Sequence, residues 1–384
     1  MAIKVTQSAL VGGPDGKIVL SHAAPLPTPV EDLQISVDVK AVSLNPVDTK
    51  MTGDYFTEGA TSGCEFAGIA TGIGAKVTKI KVGDRVAGVV LGMNPLRPTI
   101  GAFAQHTVSG AYATVRIPDD WTFEKATAGV GGVAWDTVPW ALFNRLGLPP
   151  GPLLEPLNSK RPKWEAPGPK IPIVTSHTIH TSNGKKAPTT VLVNGGASFT
   201  GTCAIQLLKL AGFTVITTCS PRSNDLVKSF GADFVFDYAS PTVIEDIKAH
   251  TRNSLRFVLD CITTHDTTKL CYAAMGRAGG RYVALDPFSP TVAGTRAVVH
   301  PDWVFGMDLL GEDVAWPAPH GRDADPVATA FGVVWNATLQ SLLDRGLIKP
   351  HPMDIRETGL QGALEGLDEL RSRKGAARKL VYAL

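Results

Sequence analysis

The sequence predicts an α/β chain in which a β-rich unit is joined to a doubly wound parallel sheet. Three observations lead there. Thr190-Val-Leu-Val-Asn-Gly-Gly-Ala-Ser-Phe-Thr-Gly201 reads as a buried-type strand and a tight turn running into a helix, Thr202–Gly212. From Thr190 to Leu285, short apolar runs alternate with amphipathic segments, the pattern of repeated βαβ units. From Leu33 to Val108, period-two alternation and frequent glycines mark short strands instead. The 384 residues allow two domains.

Taken in order, Leu33–Val42 alternates apolar and polar residues as a half-buried strand does. Phe66–Gly72, Val82–Val86 and Gly101–Val108 follow as further short strands of a small, twisted, partly open barrel. Phe123–Leu146 turns helical, broken or kinked at Gly131-Gly132 and Pro139. Residues 148–188 are rich in Pro and Lys with little apolar period, and read as a surface insertion, partly polyproline II. Strands are then expected at Val191–Val193, Thr214–Thr218, Phe234–Phe236, Arg256–Leu259 and Arg281–Leu285. Helices lie between them at Leu226–Phe230, Val243–His250 and Thr267–Met275. Thr329–Arg345 and Gly362–Arg373 are amphipathic helices, and Arg378–Tyr382 is a closing strand.

Composition narrows the function. A net charge of +2 leaves no basic excess to neutralise nucleic-acid phosphates. Five scattered cysteines without a CxxC pair read as reduced thiols, and neither a signal peptide nor a membrane-spanning run is apparent, so a cytoplasmic enzyme is expected. Cys64 and Cys261 read as interior packing residues, and His106 and His265 receive no role.

The strand–turn–helix places unpaired helix N–H groups and the positive dipole end where a dinucleotide pyrophosphate binds. Gly195, Gly196 and Gly201 permit the turn, while Ser198 and Thr200 offer hydroxyl donors. The next strand ends in Ser220-Pro-Arg-Ser223, where an NAD-specific site carries an acid for the ribose hydroxyls. A cation among hydroxyls suits a 2′-phosphate, so NADPH is expected over NADH.

Asn45-Pro-Val-Asp-Thr-Lys50, Gly63-Cys-Glu-Phe-Ala-Gly68, Val82-Gly-Asp-Arg-Val86, Gly101-Ala-Phe103 and the glycine turn occur in the order of the medium-chain dehydrogenases/reductases, which the chain resembles over nearly its whole length. Cys219-Ser-Pro, Val235-Phe-Asp-Tyr238, Leu259-Asp-Cys-Ile-Thr263, Gly276-Arg-Ala-Gly-Gly280 and Trp316-Pro-Ala-Pro319 narrow the resemblance to the fungal trans-acting enoyl reductases that partner polyketide synthases. The resemblance implies a GroES-like catalytic domain from residues 1–140 and 312–384, with a Rossmann domain at 141–311 between them. It also implies NADPH-dependent reduction of an α,β-unsaturated thioester on an acyl carrier domain, hydride going to the β carbon and a proton to the α carbon. A stand-alone quinone or alkenal reductase, or a non-catalytic NADPH-binding synthase subunit, are the alternatives.

In the zinc-dependent members of the superfamily, the first ligand position falls in Leu44–Asp48, which has no Cys here, and their Gly-His-Glu motif appears as Gly63-Cys-Glu65; no metal is expected. Lys50 is the leading catalytic candidate, an ammonium able to stabilise the developing enolate, with Asp48 to orient it. By position, the family's cofactor contacts fall on Val47, Asp48, Thr49 and Lys50 and on Ala197, Ser198, Phe199 and Thr200. They continue at Ser220, Pro221, Arg222 and Ser223, at Tyr238, at Leu285 and Asp286, and at Ala376 and Ala377. The substrate tunnel falls on Trp135, Asp136, Thr137, Val138, Pro139, Trp140, Ala141 and Leu142, and on Gly306, Met307, Asp308, Leu309 and Leu310. Relatives carry a small hydroxylated residue at Trp135, so this indole either shortens the tunnel or simply packs in the core. Lys160, Arg161, Lys163, Lys170, Lys185 and Lys186 give the insertion a basic character able to steer an acidic carrier domain, or a merely solvated loop. Prolines in Leu285–Pro290 blunt the last strand's edge, so a monomer is expected.

Overall fold

A computed structural model of the chain describes residues 6–27, 30–155, 157, 159, 178–180, 186–372 and 377–384. The chain divides into two compact units, 1–136 with 307–384, and 137–306.

The first unit is built on a seven-stranded sheet. Its longest strand, Gln34–Ser43, pairs antiparallel with Glu65–Ile73, His106–Gly110 and the C-terminal Lys379–Ala383. Apolar residues of these strands, Ile35, Val37, Val42, Phe66 and Tyr382, form a core with Phe103 from the loop before His106, each with no exposed surface. Val381 lies opposite Ser43, so continuing this register by two residues sets Lys379 across from Asn45. The expected strand at Val82–Val86 starts later, at Arg85–Val89, because Lys81 and Asp84 close a turn on each other's backbone N–H groups. The short strands Thr114–Arg116 and Met353–Arg356 complete the seven, and Thr6–Gly12 pairs with Ile18–Pro25 in a separate hairpin. The helices Pro326–Asp344 and Gly359–Ser372 lie where the apolar period predicts them.

The helical segment breaks at its glycines. Phe123–Val130 ends at Gly131, Val133–Pro139 follows, and a π-helical turn covers Trp140–Arg145. Pro139 has no N–H to continue the ladder, and the wide turn closes with Leu146 N donating to Ala141 O at 2.8 Å.

The second unit holds a six-stranded, all-parallel sheet in the order Phe234–Asp237, Thr214–Cys219, Thr190–Asn194, Phe257–Asp260, Gly280–Ala284, Val299–Trp303. The order reverses beside Thr190–Asn194, the switch point at which doubly wound sheets bind ligands. One strand differs from expectation. The edge is not the Gly280–Ala284 strand but Val299–Trp303. Its Pro301 breaks the apolar run that would have announced a strand, and a strand proline is tolerated at an edge. Part of the insertion is regular, Thr178–His180 pairing with Lys186–Pro188. Lys160, Arg161, Lys163, Lys170 and Lys185 lie outside the described residues.

Candidate functional site

In the second unit the glycine turn closes on the C-terminal end of Thr190–Asn194 and opens the twelve-residue helix Phe199–Leu210. Gly195 has φ +80°, a left-handed conformation that suits glycine. At Gly201 a Cβ would stand 2.4 Å from the Gly195 carbonyl oxygen, so only glycine lets the helix start so close to the strand. Ser198 caps the helix by accepting from Gly201 N at 3.0 Å. Its hydroxyl donates to Gly195 O at 2.8 Å, so this proton, expected to meet a pyrophosphate, is held by the turn itself.

A buried polar network fixes the turn from below. Asn194 Nδ2 donates to Asp260 Oδ1 at 2.9 Å, and Thr218 Oγ1 donates to Asn194 Oδ1 at 2.6 Å. Gly195 N donates to Thr218 Oγ1 at 3.1 Å, and Tyr282 OH to Asp260 Oδ2 at 2.9 Å. Four neighbouring strands are thereby tied together at their C-terminal ends.

The other cofactor positions expected in this unit line the same edge. Thr214–Cys219 runs into Ser220, and Pro221–Ser223 forms one 3₁₀ turn that leaves Arg222 exposed and Ser223 buried. Tyr238 follows the Phe234–Asp237 strand and is 55% exposed. Leu285 and Asp286 follow Gly280–Ala284, with Leu285 N donating to Thr263 Oγ1 at 3.2 Å. A capped helix start behind a glycine that admits no Cβ, with a cation and hydroxyls at the next strand tip, fits the phosphates of a dinucleotide.

In the first unit Asn45 precedes a single helical turn, Pro46–Thr49, and Lys50 ends it with an exposed side chain. Asp48 turns inward. It is fully buried, accepts from Asn45 N at 2.7 Å and lies against the Cys64 thiol rather than reaching out to orient Lys50. Burial pushes its carboxyl up to about 7.

Around Asp48 lies a cluster that sequence reasoning missed. Glu65 and Lys379, with side chains 0% and 3% exposed, pair at 2.6 Å. Glu65 Oε2 also accepts from Ser43 Oγ at 2.7 Å, and Oε1 accepts from Val133 N at 2.8 Å. Lys379 Nζ donates to Asn45 Oδ1 at 2.5 Å. The available signal was an acid and a base each opening an otherwise apolar strand, Glu65-Phe-Ala and Lys379-Leu-Val. A second missed group is the Tyr55 hydroxyl, 3.0 Å from His320 Nδ1, with the phenol edge-on to Trp316.

The expected substrate positions are interior ones. Trp135, Val138, Trp140, Ala141 and Leu142 are at most 1% exposed, and burial holds the Asp136 carboxyl well above its usual range. Trp135 Nε1 is buried without a hydrogen-bond partner among the described residues. Gly306–Leu310 is a 3₁₀ turn in which Met307, Leu309 and Leu310 are buried and Asp308 pairs with Arg322 at 3.1 Å. Ala377 is half-buried, and Ala376 lies outside the described residues. Among the described residues no three His, Cys, Asp or Glu side chains group as metal ligands, and no helix is long and apolar enough to cross a membrane.

The chain is similar to known proteins in sequence and fold. Residues 31–119 match the alcohol dehydrogenase GroES-like domain, and residues 200–286 the zinc-binding dehydrogenase family. The chain is 59% identical to the trans-enoyl reductase tasC of Hapsidospora irregularis, covering 99% of this chain and 98% of that protein. It is 56% identical to the trans-enoyl reductase cghC of Chaetomium globosum, covering 100% of both. Among solved structures, the CurK enoyl reductase aligns with a TM-score of 0.70 at 16% identity over 99% of both chains. An Escherichia coli quinone oxidoreductase complexed with NADPH aligns at 0.66 and 19%, again over 99% of both. These two show a common fold. With a capped nucleotide turn in one unit and a lysine-bearing turn in the other, the chain belongs to the trans-enoyl reductases of the medium-chain dehydrogenase/reductase superfamily.

Proposed function

We propose that the chain reduces an α,β-unsaturated thioester carried by the acyl carrier domain of a partner polyketide synthase, with NADPH as reductant and without zinc. The names of the close relatives supply the reaction class. The observation that carries the cofactor choice is the tip of the Thr214–Cys219 strand, where Ser220 and exposed Arg222 stand in place of an acid. When bound, the nicotinamide supplies the hydride for the β carbon. The helix start at Ala197–Thr200 holds the pyrophosphate, and Arg222 with Ser220 and Ser223 holds the 2′-phosphate. Lys50 presents its ammonium to the thioester oxygen, where negative charge grows as the enolate forms. Tyr55, hydrogen-bonded to His320, is a proton source in the same unit. Pro301 in the Val299–Trp303 edge strand, which cannot donate to a further strand, favours a monomer.

Kinetics on carrier-bound and small thioesters test the reading. Lys50→Met is expected to lower kcat at least 100-fold while leaving the fold intact, and near-normal turnover removes Lys50 from the mechanism. Arg222→Ala is expected to lower the preference for NADPH over NADH at least tenfold; an unchanged ratio overturns the phosphate assignment. Efficient reduction of small free enals or quinones without a carrier favours the stand-alone reductase instead.

A further inference from the structure

The Glu65–Lys379 pair lies outside the chemistry described so far, yet both ions are almost wholly removed from water. Burying two charges carries a desolvation cost that their attraction alone often fails to repay, so such a pair is weak evidence of stabilisation. Its bonds show what it holds. Glu65 is anchored by Ser43 Oγ and Val133 N, both from the surrounding framework. Lys379 is anchored by Glu65 and by its strand, and its ammonium reaches Asn45 Oδ1. Asn45 is the residue before the Pro46–Thr49 turn, and its backbone N–H is held by Asp48 from within that turn. The ammonium therefore grips the entry of the turn, while Asp48 ties the turn back to the same residue. With one helical turn, Pro46–Thr49 has little ability to hold its own shape.

We propose that the Glu65–Lys379 pair is a positioning device that sets the Asn45–Lys50 turn, and with it Lys50, through the Lys379–Asn45 hydrogen bond. The link to function rests on the reading above that Val47–Lys50 meets the cofactor; the mechanical part does not.

The test separates the two. Hydrogen exchange of the peptide covering residues 45–52 is measured without cofactor, and the NADPH Kd by fluorescence titration. The variants are Asn45→Ala, which cuts the link, and the double variant Lys379→Met with Glu65→Gln, which leaves no lone buried ion. Asn45→Asp restores an acceptor for Lys379, and Ser43→Ala weakens the anchor of Glu65 without touching the turn. In the first two variants exchange in this peptide is expected to rise at least tenfold, with the Phe66–Ile73 strand unchanged, and the NADPH Kd to rise at least fivefold. Asn45→Asp is expected to return both toward wild type, and Ser43→Ala to keep both within twofold. Unchanged exchange in the folded Asn45→Ala and double variants overturns the positioning role. Faster exchange with an unchanged Kd upholds the clamp and overturns the contact between this turn and the cofactor.

Discussion

The two turns that carry the candidate chemistry are held in opposite ways. Beneath the glycine turn of the parallel sheet, Asn194, Thr218, Asp260 and Tyr282 exchange hydrogen bonds across strands already fixed in register. The network has one carboxylate, and its oxygens accept from backbone and side-chain donors. Beneath the Asn45–Lys50 turn, a buried ion pair reaches across 334 residues of sequence to grip the turn's entry. The first turn combines its own backbone geometry with hydrogen bonds from strands already in register. The second is one helical turn long and depends on charged side chains delivered by a distant strand. The difference teaches that the nucleotide turn tolerates conservative change beneath it, whereas the lysine turn is sensitive to single charge deletions.

The largest expected effect breaks that comparison open. Lys379→Met leaves Glu65 as an uncompensated buried charge and is expected to cost about 3–5 kcal/mol of stability, whereas Tyr282→Phe, which removes one donor from the Asp260 carboxylate, is expected to cost about 1.5–3 kcal/mol. Chemical denaturation of both checks this, and equal losses refute it.

A second expectation concerns pH. The Asp48 carboxyl is raised in the fold, so the folded state binds a proton that the unfolded chain releases near its ordinary value of 3.8. Stability from this group is therefore fully present below the ordinary value and falls as pH rises through about 7. Asp48→Asn removes the dependence, and its stability relative to wild type is expected to rise by about 2–3 kcal/mol between roughly pH 5 and 8. His351, pushed down to about 3 by burial, works in the opposite sense and is present in both proteins, so the difference isolates Asp48. A pH-independent difference would show that Asp48 is not charged at a cost.

The smaller effects sharpen the contrast from the nucleotide side. Gly201→Ala forces a Cβ against the Gly195 carbonyl and is expected to cost about 1–3 kcal/mol, with a rise in NADPH Kd. Ser198→Ala removes the cap and the hydroxyl's bond to Gly195 O, and is expected to cost about 1–2 kcal/mol with a smaller rise in Kd. If the cap deletion weakens NADPH more than the glycine substitution does, the turn is held by its hydroxyl and not by its backbone.

Much of the fold was legible because its signals are local. The Thr190–Gly201 turn, the helix Val243–His250 and the alternation of strands and helices follow from neighbours a few residues apart. The Val299–Trp303 strand escaped because Pro301 interrupts it, and only its place at the sheet edge makes the proline tolerable. The sequence expects Asp48 to orient Lys50, yet a helical turn swings successive side chains by about 100°, sending Asp48 inward and Lys50 out. The expected substrate positions around Trp135 are apolar in sequence, which announces burial but not what the burial is against.

The sequence by itself determined the parallel-sheet unit, the glycine turn and the absence of an acid at the Ser220 tip, since each is written in consecutive residues with their own backbone preferences. Only the tertiary structure decided that Glu65 meets Lys379 and that Lys379 meets Asn45. Those contacts depend on the antiparallel pairing of the C-terminal strand with Gln34–Ser43, in which Val381 faces Ser43. A charge near the start of a strand carries no information about its partner until sheet register brings the two within hydrogen-bond distance.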